Sequence, residues 1–320
     1  MRKTLAFILS LLCFALFLTA VGCANAGGGS GNADGEKEFT VEFKQSGKPS
    51  VIVKAKDGEK ISEVAAPESE GEGLVSEWNF DFEKPVRKSE TVEVISYTEG
   101  VSFALSFKGD GYTVSPYTGE SPSVTLPDYY KGLPVTGISS SAFSGNNNIT
   151  FVKMPAQLKT IGEHAFYYCV NLVSAEIPET VEKIGASAFD SCVKLVNFKL
   201  PPKLTVVSKR LTVGHTYSFI EVPEGVTTIE EYAFASDITS IVLPRSLEKI
   251  EFVGLWAKLW VIYYKGDKTD WSLIEISDKE YNGFSALSVT KKAAIYYYSE
   301  EKPAQEGNYW HYEDGNVVKW

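Results

Sequence analysis

The chain has 320 residues, with 31 Lys and Arg against 41 Asp and Glu, a formal net charge of −10, and only 3 His. An acidic chain without a basic stripe cannot displace counterions from a phosphate backbone, so no nucleic-acid partner is expected. Hydrophobic residues at 44% allow a folded core, while three scattered His and four Cys argue against a Cys/His zinc centre; no metal or cofactor is expected.

Residues 1–22 read as a lipoprotein signal peptide. Met1-Arg2-Lys3 is a short positive start, and Thr4 to Val21 is an apolar run. At roughly 18 residues the run barely reaches the length of a membrane span. Ala20-Val21-Gly22-Cys23 resembles a lipobox, with Ala20 where Leu is usual. That likeness makes Cys23 the lipid attachment site and first residue of the mature protein. Simple secretion and an uncleaved anchor are the alternatives. Two or more acyl chains on one Cys anchor stably, which places the protein outside the cytoplasm, lipid-anchored and surface-exposed. Residues 23–37 form a Gly/Ser-rich tether. Its Gly run lacks the preceding strand and following helix of a phosphate loop.

Residues 38–98 alternate in strand fashion. Phe39, Val41 and Phe43 form one face, Val51 and Val53 a further short strand, and Lys56-Asp57-Gly58-Glu59 predicts a hairpin turn. Trp78, Phe80 and Phe82 recur at period two, and Thr91 to Tyr97 closes the unit. The spacing Gly58, Pro67, Trp78, Pro85, Tyr97 resembles the Listeria–Bacteroides repeat, a β-grasp-like module of bacterial surface proteins. That resemblance implies a spacer or stalk element.

An internal repeat dominates the rest. An apolar residue followed by Pro recurs at Leu126-Pro127, Met154-Pro155, Ile177-Pro178, Leu200-Pro201, Val222-Pro223 and Leu243-Pro244. Intervals between these prolines are 28, 23, 23, 22 and 21. In phase with them, Ile138 to Phe143, Ile161 to Phe166, Ile184 to Phe189 and Ile229 to Phe234 share the template Ile-x-x-x-Ala-Phe. The unit between the last two is degraded at Val207 to Leu211. Within one unit, Leu172, Ala175 and Ile177 face inward from a short strand, Pro178 ends it for want of an N–H, and Val181 with Ile184 forms a second inward pair. Ala186 to Cys192 reads as two helical turns, with Ala188, Phe189 and Cys192 on one face. One unit is too small to stand alone, and stacking buries a continuous core. The expected fold is a β-rich α/β solenoid over 100–255, of about six leucine-rich repeat units with a period of 21–23 residues.

The pattern Val-x-x-Ile-Gly-x-x-Ala-Phe-x-x-Cys-x-x-Leu-x-x-x-x-Ile-Pro resembles the BspA-type leucine-rich repeat. Gly109 to Val114 and Tyr130 to Val135 look like that family's lead-in segment, and Tyr296 to Trp320 like its usual ending. The last unit departs from the pattern, with Phe252-Val-Gly-Leu255 in place of Ala-Phe.

Residues 256–320 read as an aromatic, β-rich cap. Trp260 to Lys265 and Lys291 to Tyr298 are strand-like, and Glu313-Asp314-Gly315-Asn316 joins a hairpin. Trp310, Trp320 and Tyr296 to Tyr298 are expected to hide the open end of the core. An aromatic sugar platform is the alternative, so a glycan ligand stays open.

Catalytic patterns are lacking, and nothing in the sequence brings His164, His215 and His311 together. No catalytic residue is assigned and no enzyme is expected. Cys169 and Cys192 occupy equivalent positions one unit apart, either as two buried thiols or as a disulfide. Two residues before each Pro stand Thr125, Lys153, Glu176, Lys199, Glu221 and Val242; four before stand Ser123, Phe151, Ser174, Asn197, Phe219 and Ser240. Stacked in parallel, the first column alternates in sign and the second shows Phe151 and Phe219 outward. Phe151, Lys153, Glu176, Lys199, Phe219 and Glu221 are therefore the candidate binding residues. The family resemblance implies a non-catalytic adhesin with a protein ligand, host matrix or another cell-surface protein. A ligand-free structural spacer is the bland alternative.

Overall fold

The computed structural model describes residues 37–320 apart from 63, 68–70, 197, 216–217, 235–236, 253, 256–258 and 281–284. The signal segment, Cys23 and all of the tether but Lys37 lie outside the described residues. Glu38–Trp320 forms one compact unit. Among the described residues no helix is long and apolar enough to cross a membrane.

The first strands are β1 (Glu38–Lys44), β2 (Val51–Lys56), β3 (Leu74–Trp78) and β4 (Glu90–Thr98), in sheet order β2-β1-β4-β3. Period-two alternation puts Phe39, Val41 and Phe43 on the buried face. Phe43 is ringed by Trp78, Phe80 and Phe82 at centroid distances of 5.3, 5.5 and 5.9 Å. One expectation fails here. The turn at Asp57-Gly58 joins no hairpin, because β1 and β2 pair through the 45–50 loop. After Gly58, whose φ is 86°, the chain leaves the sheet. Val86 and Glu59 then hold it by backbone bonds, and Asp57 pairs with Arg87 at 3.1 Å.

The repeats stack in parallel through two ladders. The strand face pairs Ser123–Thr125, Phe151–Lys153 and Ser174–Glu176 in register. After a gap it resumes with Phe219–Glu221, Ser240–Leu243, Val261–Tyr264 and Ala294–Tyr298. A second ladder of two-residue strands runs through Ile161 and Ile184, and again through Val207, Ile229, Ile250 and Ile276. Central strand residues Val124, Val152, Ile220, Ile241 and Ile262 face the core. At the start of the strand face, Thr98 of β4 takes the place of a missing rung. Its hydroxyl accepts from the Thr125 N–H at 2.8 Å and donates to the Ser123 carbonyl at 3.5 Å.

Between the ladders the chain runs in tight turns, not the expected helical ones. Two columns of each unit adopt left-handed backbone: Ser141, His164, Ser187, Arg210 and Tyr232, then Gly145, Tyr168, Ser191 and Gly214. A right-handed helix cannot contain them. The N–H groups of Ser141, Gly145, His164, Tyr168, Ser187, Ser191 and Arg210 donate to the next rung instead of to their own chain four residues back, as from His164 to Ala186 and from Tyr168 to Asp190. Gly162 and Gly185 serve the same stacking, because a Cβ at either would collide with the backbone of the preceding rung.

Inside, Phe143, Phe166 and Phe189 stack face to face, with centroids 4.9 and 5.1 Å apart and planes within 9°. Isolated aromatic pairs favour offset or edge-on contact, so the parallel pile is imposed by the rung spacing of about 4.8 Å. The degraded unit is a full rung: Val207, Leu211 and Thr212 are buried where Ile, Ala and Phe stand elsewhere. Phe198 supplies the missing ring from the strand side, edge-on to Phe189 at 5.2 Å.

Two helices stand among the described residues, α1 (Lys268–Ser272) and α2 (Ala286–Lys292), each opened by a capping box. Lys291 and Lys292 end α2 instead of beginning a strand, and the strand starts at Ala294. A strand at Tyr309–Glu313 and one at Asn316–Lys319 form the expected hairpin over Asp314-Gly315, both at positive φ.

Candidate interaction surface

Of the six residues picked from the sequence, Lys153, Glu176, Lys199 and Glu221 are exposed, Phe151 is half-buried and Phe219 is 44% exposed. Strand pairing brings Phe151 and Lys153 directly beside Ser174 and Glu176. It does not complete the charge ladder. Lys199 lies outside any strand, and Glu221 is held from the other direction. Glu221 accepts from the Lys265 ammonium at 2.8 Å and from the Tyr312 hydroxyl at 2.7 Å. Tyr312 is thereby pushed up to about 12, by burial first and by the Glu221 carboxylate second. Burial works against the charge of Lys265, yet its pairing with Glu221 keeps the ammonium above its usual range.

The Tyr312 contact reveals how the sheet ends. Four strand steps separate Glu221 from Tyr312, about 19 Å in a flat sheet. The sheet therefore rolls, and its last hairpin lies back over its own outward side. Val242 and Tyr263 share the outward column with Glu221, yet Val242 is fully buried. Trp310 packs on the neighbouring Tyr263: it has no exposed surface, donates from Nε1 to the Tyr264 carbonyl at 3.0 Å, and also meets Tyr298 and Tyr312. Lys319 adds a cation over the Tyr296 ring at 4.2 Å. Trp310 thus seals the outward face rather than the end of the core, and it presents no open platform to a sugar. Trp320, 40% exposed, stacks on His311 at 3.7 Å.

What stays open is the stretch between Thr98 and this hairpin. From Phe151 to Phe219 it spans three rung steps, roughly 14 Å. One column was missed in the sequence. Five residues before each Pro stand Thr150, Val173, Val196, Ser218 and Thr239, and Trp260 continues the series. Each of Val173, Val196, Thr239 and Trp260 donates its N–H to the residue one rung before it in that column. Val173 and Val196 are 42% and 49% exposed and Trp260 is 72% exposed. They border the strip with apolar surface. Reading the column five places before Pro was the signal that could have found them.

The chemistry-bearing groups lie apart. His164 sits 3.6 Å from Glu163 on the turns, His215 is buried, and His311 belongs to the final hairpin. Among the described residues no group of three or more His, Cys, Asp or Glu could hold a metal ion. Cys169 and Cys192 are free thiols, fully buried. Each donates to a Phe carbonyl one rung earlier, Phe143 and Phe166, at 3.0 Å. The Cys192 thiol is pushed far up by its bond with Cys169 and by burial. Burial shields both from solvent, so both should resist a thiol reagent in native Glu38–Trp320 and yield two thiols only after unfolding. Fewer than two after unfolding without reductant would show that a disulfide forms.

The sequence profile described as the BspA type leucine rich repeat region matches residues 136–253 in six copies. No curated protein matches the chain. Among solved structures, a leucine rich repeat protein of T. pallidum is 24% identical with a TM-score of 0.42, covering 52% of this chain and 83% of that one. A leucine rich cell surface protein of Faecalibacterium prausnitzii is 22% identical with a TM-score of 0.42, covering 52% and 53%. A leucine-rich repeat protein of Bacteroides ovatus is 18% identical with a TM-score of 0.37, covering 62% and 70%. Six profile copies on stacked, in-register rungs make residues 136–253 a BspA-type leucine-rich repeat region.

Proposed function

We propose that the chain is a non-catalytic binding protein displayed outside the cytoplasm, tethered through an acylated Cys23, whose strand face takes a protein ligand in adhesion. The observation that carries this reading is the open strip. Phe151 and Phe219 stand at its two ends, Lys153, Glu176 and Lys199 between them, and Val173 and Val196 along its border. Apolar anchors around a mixed-charge centre suit a protein surface better than a small molecule.

The test uses immobilised Glu38–Trp320 against purified matrix and cell-surface proteins and a glycan array. Saturable binding to a protein is expected, weakened at least tenfold in the double variant Phe151→Ser/Phe219→Ser and unchanged in Tyr168→Ser on the turn side. Binding untouched by the double variant would reject the strip.

A second reading is favoured by one local feature. Lys302, Pro303, Gln305, Glu306, Tyr309 and Trp320 line a recess of about 380 Å³ beside the exposed Trp320 ring. An exposed indole over a polar recess fits a carbohydrate. Glycan binding lost in Trp320→Ala, with the double variant still active, would favour this reading.

A further inference from the structure

We infer that the repeat array contains one built-in joint, between the rung of Ile184–Phe189 and the rung of Val207–Thr212. The second ladder stops at this one place. Among the described residues, the second ladder is unpaired between Lys183–Ile184 and Val206–Val207. Every other neighbouring pair of rungs from Ile138 to Ile276 is joined in the second ladder.

The turn bonds thin out at the same junction. Phe143 and Phe166 each donate their N–H to the Ala carbonyl of the next rung. The matching bond from Phe189 to Leu211 is not made among the described residues, which leaves Ser187 to Lys209 and Ser191 to Val213 on the turns and Val196 to Val173 beside the strand face. Elsewhere the residue after the ladder Ile or Val reaches back through its N–H, as from Gly162 to Ile138, Gly185 to Ile161 and Glu230 to Val207. Across the joint it is the Ser208 hydroxyl that reaches the Ile184 carbonyl.

Side chains replace the lost backbone bonds. Arg210 donates from Nε at 2.9 Å to Asp190, whose side chain is fully buried. His215 stands where the two preceding rungs carry Cys, and its Nε2 meets the Phe189 carbonyl at 2.8 Å. Burial pushes this imidazole below its usual range. Such contacts clamp two rungs without fixing their register, whereas a ladder fixes it. Among the described residues, opening here therefore breaks fewer backbone bonds than opening at the junction on either side, and local openings follow the weakest junction. Phe151, Lys153 and Glu176 lie on one side of the joint and Phe219 on the other, so the open strip can change its curvature. The inference does not depend on what the strip binds.

Hydrogen exchange of native Glu38–Trp320, read by mass spectrometry, tests this. Segments 185–192 and 204–208 are expected to exchange at least tenfold faster than the equivalent segments 162–169 and 226–230. Arg210→Ala should speed the joint segments further and leave 151–166 and 240–250 unchanged. Glu231→Ala, which breaks the Lys209 ion pair inside the second block, should not reproduce this. Protection at the joint equal to that of its neighbours in the wild type overturns the inference. So does a uniform loss of protection in Arg210→Ala. If that variant fails to fold, the wild-type comparison decides alone.

Discussion

Phe166→Ala should cost about 3–5 kcal/mol of stability, the range for removing a fully buried aromatic ring. Phe166 is the middle ring of the pile, touching Phe143 on one side and Phe189 on the other, and it has no exposed surface. Its removal empties one layer of a one-dimensional core. Neighbouring layers cannot collapse into the gap, because Gly162 and Gly185 already hold adjacent rungs at the closest backbone approach. In a stacked array each rung is stabilised by its neighbours, so the loss spreads to both sides. Urea unfolding followed by circular dichroism measures it. Phe166→Leu, which keeps most of the volume, should recover more than half of the loss. A loss below about 1 kcal/mol in Phe166→Ala would mean that the pile is incidental to stability.

Trp310→Ala is the second large effect, about 3–5 kcal/mol by the same reasoning, but of a different kind. The indole is wholly buried on the outward side of the sheet, away from the repeat core. Removing it leaves the Tyr264 carbonyl without its indole donor and opens the cover over Tyr263. The final hairpin would be left holding chiefly through Tyr312 to Glu221 and Lys319 over Tyr296. The expected result is loss of the hairpin, with protection lost over 309–319 and Tyr263 exposed, while segments 152–166 stay protected. Hydrogen exchange separates this from global unfolding. Equal loss of protection in both regions would show that the hairpin and the repeats form one cooperative unit. Because Trp310 is enclosed, any change in glycan binding in this variant reports the fall of the hairpin rather than a lost sugar contact.

The two phased signatures made the array legible before any coordinates. Ile161 and Ile184 recur 23 residues apart, and they lie in register in the structure. Cys169 and Cys192 are equivalent in sequence and make equivalent bonds. The outward placement of Phe219 followed from counting back from Pro, since strand side chains alternate faces. The turns were misread because Ala188, Phe189 and Cys192 have helical spacing, while the bonds that decide against a helix are made to another rung. Column counting also placed Lys199 in a charge ladder that stops before it.

Period, column identity and the inward residues of each unit were determined by the sequence alone, because a one-dimensional stack repeats a local rule and local spacing is what a sequence displays. Tertiary structure alone decided where that rule is suspended. Phe198 standing in for the ring absent at Thr212, Glu221 captured by Lys265 and Tyr312, and Trp310 folded over Tyr263 all join residues from different rungs or from the chain's far end. Such contacts depend on how strongly the sheet curls and on which backbone bonds go unmade, and no spacing along the chain encodes either.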